Sequence, residues 1–464
     1  MDYDVLVLGG GIIGCSVAYG LSKYNLNIAV IEKDYDIADD ISLVNTEVVF
    51  DGTECEDDLI SKLEHMGNSM LDEITAKFNV PFKRTGSLRV ADSDVAVKIL
   101  EQTYERAKRR GINNVYLMEP SEVYDLEPNL NIDFKKALYS PNTGVVAPYD
   151  LALAYAEVAF DNGATFKLEE KVLDIKKIVN GFKVITNKNK FTCKVVVNTT
   201  PGEYNIIEKN TEVNEINTRD IHYLIMNDKV KNFSKSIVTK VDEEGDTIKY
   251  IPGVIGTSLI AVNKKGTFKF SEAINLANKL VYDFNKDMVN SIYHDKFNDD
   301  LIIIDDNEHY DGYIKVAGNN YATVTMTPAI SNMICETIVN NLGCSLNKSF
   351  VDKRRDYYRF KEMSNNEINE IISVDPRYGK MVCICNLISE GEIVDSIRRP
   401  LGARTVEGVK RRTGATFGKC HGAHCIDKII YILARELNKK PTEIVEDSKN
   451  SKVLASRIKE FEKM

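Results

Sequence analysis

The feature that most constrains this chain is a glycine-rich turn set between a strand and a helix. Asp4-Val5-Leu6-Val7-Leu8 is an apolar run of the kind buried in a parallel sheet, and Gly9-x-Gly11-x-x-Gly14 follows it directly. A helix-like stretch then runs from Cys15 to about residue 24, and a second strand over 27–31 ends at Glu32. This is a βαβ unit with mechanical reasons for each glycine. The first permits the tight turn, the second lets backbone N–H groups approach a pyrophosphate, and the third allows close helix–strand packing. Glu32, 23 residues after Gly9, is placed to accept hydrogen bonds from a ribose hydroxyl. Gly9, Gly11, Gly14 and Glu32 are therefore the expected dinucleotide contacts.

The second constraint lies near the other end. Of nine cysteines, Cys383, Cys385, Cys420 and Cys425 sit together, as C-x-C and C-x4-C separated by 34 residues. Clustered thiolates point to a metal site, either [2Fe-2S] or a structural zinc. Ser389-x-x-Glu392 is a capping-box pattern that opens a helix to about residue 399. A second helix follows Cys425, and its N-terminus is expected to aim N–H groups at the sulfurs and lower their pKa. Seven basic residues between Arg398 and Lys419, with Glu407 the one acid, suggest a field that favours an anionic cluster. His421 and His424 lie in the last loop and are read as facing solvent or supporting the site, since four cysteines complete it.

The two features choose the nucleotide. A cluster takes one electron at a time, and flavin converts a two-electron hydride into single electrons whereas nicotinamide does so poorly. FAD and a [2Fe-2S] cluster are the expected cofactors. Only one dinucleotide fingerprint is present, so the electrons are expected from an organic substrate or a partner subunit.

Between these ends, helices are expected over 57–79, 93–110, 150–162 and 328–341. Strands are expected over 172–175, 182–186, 195–198 and 313–317, with mixed α+β structure over 206–310. The charged stretch 346–374 reads as a solvated connector. At 464 residues the chain calls for two or three domains. Its 43% hydrophobic content is that of a globular protein, and its net charge of −9 argues against a general nucleic-acid binder. No apolar run approaches transmembrane length and no secretory pattern opens the chain, so a cytoplasmic location is expected.

Residues 1–345 resemble the D-amino-acid-oxidase-like FAD oxidoreductases, closest to the anaerobic glycerol-3-phosphate dehydrogenase type. The carrying segments are the 4–32 fingerprint, Pro81-Phe82-Lys83-Arg84-Thr85-Gly86-Ser87-Leu88, and Leu138-Tyr139-Ser140-Pro141-Asn142-Thr143-Gly144-Val145-Val146-Ala147-Pro148-Tyr149. Residues 375–455 resemble the bacterioferritin-associated-ferredoxin type of [2Fe-2S] domain, on Asp375-Pro376-Arg377-Tyr378-Gly379, the four cysteines, Gly402-Ala403-Arg404-Thr405 and Val409-Lys410-Arg411-Arg412-Thr413.

The resemblance implies an α/β fold. A glutathione-reductase-like FAD-binding domain would take segments 1–80, 145–205 and 310–345. An interleaved α+β substrate domain would take 81–144 and 206–309, and a small helical cluster domain 375–464. It implies oxidation of a small hydroxy acid or polyol phosphate, with electrons passing through the cluster to an acceptor flavoprotein or other redox subunit. Val172 is a further expected nucleotide contact. Arg219 sits where the family has an arginine, and Arg219 and Lys296 are candidates to hold an anionic group. His294, or His222, is the candidate base.

Several loops depart from the family. Asp39-Asp40-Ile41-Ser42 and Phe50-Asp51-Gly52 stand where it has Gly-Thr-Ser and His-Ala-Gly. Asn198-Thr199-Thr200-Pro201 replaces Asn-Ala-Ala-Gly, and Tyr321-Ala322-Thr323 replaces Ser-Pro-Gly. Negative charge at Asp39, Asp40 and Glu47 is expected to oppose FAD binding. A diverged electron-relay subunit without substrate chemistry is the alternative reading.

Overall fold

The computed structural model describes residues 1–39, 48–200, 218–226, 233–243, 246–254, 258–298, 302–304, 312–317 and 320–455. Asp40 and Glu47 lie outside them. The apolar run at the N-terminus forms strand Tyr3–Leu8, with Val5 to Leu8 inaccessible to solvent. It lies between Ile28–Ile31 and Lys190–Asn198 and runs parallel to both. Thr165–Lys167 extends the sheet on one side and Tyr313–Ala317 on the other, both in parallel. Strands Val172–Ile178 and Gly181–Thr186 add an antiparallel meander to Lys190–Asn198. Ile302–Ile304 pairs with Tyr313–Ala317, so the chain re-enters this sheet before the expected boundary at 309.

Helix Ile12–Ser22 packs on Pro148–Asp161 and on Thr323–Leu342, and helix Asp58–Lys77 packs on Thr323–Leu342. All four helices lie close to the expected ranges. Pro148 starts one helix at its first turn, where the missing N–H costs nothing.

The second sheet has eight strands, in the order Val289–Asn298, Thr218–Met226, Leu259–Lys265, Thr247–Ile251, Ile237–Val241, Ser87–Ala91, Lys136–Ser140 and Tyr116–Met118. Its two faces are different. Leu88, Val238, Ile248, Ile260, Val262 and Leu224 form one apolar core with Phe268 and helix Phe270–Ala277. The alternate residues Ile237, Ile251, Ala261, Tyr223 and Phe297 join the core of the nucleotide fold. Side chains alternate along a strand, so one face of this sheet looks at the nucleotide fold and the other away from it.

The C-terminal module has helices Glu390–Arg398, Val406–Thr413 and Ile426–Glu436 around its own core, with the capping box at Ser389 and Glu392 formed as expected. The connector is not the solvated segment expected from its charge. Arg354 is 5% exposed and donates to Glu157 at 2.7 Å and to Asp150 at 2.8 Å, both on helix Pro148–Asp161. Arg399 of the C-terminal module reaches the same Glu157 at 3.0 Å. Charged residues there read as surface because their partners lie some two hundred positions away. No helix among the described residues is long and apolar enough to cross a membrane.

Candidate functional site

The nucleotide turn is built as the glycines require. Gly9 has φ +97°, and a Cβ on Gly14 would lie 2.0 Å from the Gly9 carbonyl oxygen. Helix Ile12–Ser22 begins at Gly11 with no side-chain cap, which leaves its first N–H groups for an anionic ligand. Glu32 Oε2 accepts from the Gly10 N–H at 2.6 Å, which places the carboxylate at the turn. Val172 has its side chain buried between the parallel sheet and the meander, so only its backbone could meet a nucleotide. Thr199, in place of a family alanine, donates to the Leu8 carbonyl at 2.9 Å and packs against the turn without closing it. These residues fit a dinucleotide.

The acidic loop behaves differently from expectation. Asp39 is ion-paired with Arg411, and Asp36 accepts from both terminal guanidinium nitrogens of Arg412, the two arginines coming from the C-terminal module. The charge expected to oppose FAD at Asp39 is therefore neutralised. The same pairs correct the reading of the basic run. Arg398 binds Glu436, Arg399 Glu157, Lys410 Glu407, Arg411 Asp39 and Arg412 Asp36, so most of it fastens helices rather than surrounding a cluster.

The four cysteines stand as two pairs. Cys385 Sγ and Cys420 Sγ are 3.7 Å apart at the surface. Cys383 and Cys425 contact one another in the interior. Two thiolates bound tetrahedrally to one ion at ~2.3 Å lie about 3.8 Å apart. Two pairs suit two irons with two thiolates each. Backbone N–H groups of His424 and Gly422 and contact with Cys385 hold the Cys420 thiol below its ordinary value. Burial and the neighbouring Cys383 push Cys425 up to about 11, so the following helix does not lower it as expected. His421 and His424 are exposed.

The candidate catalytic residues do not come together at the nucleotide fold. His294 lies 3.3 Å from Asp220, and Lys296 lies 3.8 Å from it. The His294 and His222 rings meet at 4.7 Å with a tilt of 39°, and His222 bonds the Phe268 carbonyl at 3.0 Å. Phe268 belongs to the far core, so His222, His294 and Lys296 occupy the sheet face turned away from the nucleotide. Arg219 alternates to the near face, but beside Phe297 at the end of its strand.

The near face instead carries one transverse row. Tyr293, Tyr223, Ala261, Lys249, Thr239 and Arg89 are successive register partners across six strands. Against this row packs the loop after Val48–Val49. Glu54 accepts from Arg89 at 2.9 Å and from Lys249 at 3.4 Å. Lys249 Nζ sits 4.6 Å over the Phe50 ring, and Phe50 packs edge-on to Tyr321 at 5.0 Å. Among the described residues, Arg89 Nε, Thr239 Oγ1, Tyr223 OH, Asp51 Oδ2, Thr53 Oγ1 and both Glu64 oxygens are buried without a hydrogen bond. Orphaned polar atoms at this density mark a place shaped for a ligand. Burial, then the charges of Glu54 and Asp51, pushes the Glu64 carboxyl well above the usual range, against the opposing contact of the Tyr321 hydroxyl.

The profile of the FAD dependent oxidoreductase family matches residues 4–337, and that of the BFD-like [2Fe-2S] binding domain matches 381–435, which contain all four cysteines. The chain belongs to the FAD-dependent oxidoreductases and carries a [2Fe-2S]-binding domain of its own. It is 34% identical over 477 residues to a glycerol 3-phosphate dehydrogenase of Caloramator mitchellensis, covering 98% of this chain and 99% of that one. It is 35% identical over 147 residues to a mitochondrial L-2-hydroxyglutarate dehydrogenase of Caenorhabditis briggsae, covering 31% of this chain and 33% of the other. Its fold resembles L-alpha-glycerophosphate oxidase from Mycoplasma pneumoniae with FAD bound, with a TM-score of 0.67 and 20% identity over 77% of this chain and 99% of that one.

Proposed function

We propose that this FAD-dependent dehydrogenase oxidises a small anionic hydroxy compound, a hydroxy acid or a polyol phosphate, at the sheet face that carries Lys249 and Arg89. That buried cationic row, facing the nucleotide fold and studded with unpaired polar atoms, carries the reading. The relatives support it, since one is named for a polyol phosphate and another for a 2-hydroxy acid.

When bound, FAD accepts a hydride and the cluster carries electrons singly. The protein's share is to bind and orient. Gly9, Gly11, Gly14 and Glu32 would hold the dinucleotide, and the backbone of Val172 would be a further contact. Lys249 and Arg89 hold the anionic group, Tyr223 and Thr239 supply hydroxyls to orient it, and Phe50 and Tyr321 exclude water. Cys383, Cys385, Cys420 and Cys425 would hold the cluster, as one interior and one surface pair of thiolates. The exposed second pair is the side from which a redox partner draws electrons.

The test is anaerobic. Protein purified without oxygen should show flavin and [2Fe-2S] absorption. Glycerol 3-phosphate or a 2-hydroxy acid should bleach the flavin, and amino acids should not. Failure of every member of such a panel to bleach it would overturn the reading.

A further inference from the structure

The cationic row already holds one carboxylate. Glu54 comes from the nucleotide-fold side, between Val48–Val49 and helix Asp58–Lys77, and its Oε2 lies between Arg89 and Lys249. Burial would raise its carboxyl, but the Lys249 and Arg89 charges outweigh burial and hold it below its ordinary value. It is therefore an ion, and it cancels one of the two cations. Burial lowers the Lys249 ammonium from its ordinary value, and the charge of Glu54 opposes that. Burial raises Asp51 and Glu64, which favours their neutral forms. Arg106 binds the Glu54 carbonyl and is faced by Glu56, and Arg110 is held by Asp58. Within the ion-paired cluster itself two cations face one carboxylate, an excess of one positive charge.

We infer that Glu54 is a specificity-determining residue, an internal counter-anion that fits the site to a monoanionic substrate and sets it against a dianion. A carboxylate brings the buried charge to zero, whereas a phosphate dianion leaves an uncompensated negative charge away from water. The favoured substrate class is then a 2-hydroxy acid with one carboxylate at this face rather than a polyol phosphate. The inference rests on the reading of this face as the substrate site.

The experiment uses FAD-loaded protein at pH 8 and two unreactive probes, acetate and sulfate, followed through the flavin absorption spectrum. In the wild type, sulfate should bind at least tenfold more weakly than acetate. Glu54→Gln should shrink that ratio tenfold or more by tightening sulfate, and Glu54→Asp, which keeps the charge, should preserve it. Lys249→Gln gives an independent check, because it removes the excess charge and should weaken both anions together. A ratio unchanged in Glu54→Gln, or sulfate binding better than acetate in the wild type, overturns the role of Glu54 and leaves the dehydrogenase reading intact. If neither anion disturbs the flavin in any variant, the anionic substrate face itself falls, and the inference with it.

Discussion

Arg412 of the cluster-bearing module grips Asp36 of the nucleotide fold, donating through both terminal nitrogens, one of them at 2.7 Å, with both side chains buried. The Tyr149 hydroxyl closes on the same carboxylate at 3.2 Å, and the Asp36 carboxylate lies 2.9 Å from where a Cβ on Gly408 would be. The contact is a fitted socket. It also borders the dinucleotide turn, because the Ala38 N–H donates to the Gly10 carbonyl at 2.8 Å.

Removing one half of a buried pair leaves an uncompensated charge, which costs about 3–5 kcal/mol. Arg412→Ala should lower stability by that amount and reduce FAD retention, since Asp36 adjoins the turn. Arg412→Met with Asp36→Leu should recover much of the stability. Urea unfolding of both variants, with flavin content after gel filtration, decides this; a fully stable Arg412→Ala protein with normal flavin would refute it.

The two cysteine pairs should differ sharply in protein stripped of its cluster. The ordinary thiol value is 9.0; Cys420 is held below it, while burial and Cys383 push Cys425 up to about 11. The thiolate fractions of Cys420 and Cys425 at neutral pH then differ by more than about two orders of magnitude. Iodoacetamide should label Cys385 and Cys420 first, and a rebuilt cluster should protect all four. Mass spectrometry of timed samples reads the order, and equal labelling would show that the pairs are not distinct.

Acid should loosen the strap that ties the connector to helix Pro148–Asp161. Burial raises the Asp150 carboxyl, but the charges of Arg354 and Arg359 outweigh it and hold it below 3.8. A depressed carboxylate adds stability above its unfolded value, and that stability is lost as pH falls through the folded one. Asp150→Asn should therefore be less stable than the wild type at pH 6 and should converge with it toward pH 2. Melting curves across that range are the measurement, and parallel curves would contradict the assignment.

Glu64 should show the opposite slope. Its folded value lies well above 4.5, so above that pH the folded state holds a proton that the unfolded chain has lost. Stability attributable to Glu64 falls as pH rises, by about 1.4 kcal/mol per unit, until the folded value is reached. Glu64→Gln should be the more stable protein at pH 7 and should lose this component of the slope. Denaturant midpoints at pH 5, 6 and 7 test it, and a Gln variant that tracks the wild type at every pH would exclude it.

Much of this architecture was legible because its signals are local. The turn at Gly9, the long amphipathic helix Asp58–Lys77 and the Ser389 capping box each announce themselves within a few residues. The face proposed to bind substrate was not legible. In Leu88-Arg89-Val90 and Ile248-Lys249-Tyr250 the alternation is plain, but a cation between two apolar residues reads as the wet side of a half-buried strand. Only the packing of the nucleotide fold on that side shows Lys249 to be buried. His294 and Lys296 share the far face with their register partners His222 and Asp220, and one register step decides which face a strand residue meets. The strap at Arg354 was hidden for a related reason, since its partners Asp150 and Glu157 are remote in sequence.

The socket at Asp36 has a consequence for how charge travels through this molecule. A ferredoxin-like module on a loose tether would swing between donor and acceptor, and its throughput would depend on diffusion within the tether's reach. Here the module is bolted at Asp36, Asp39 and Glu157, so its place beside the dinucleotide turn is set by ion pairs and not left to the reach of the connector.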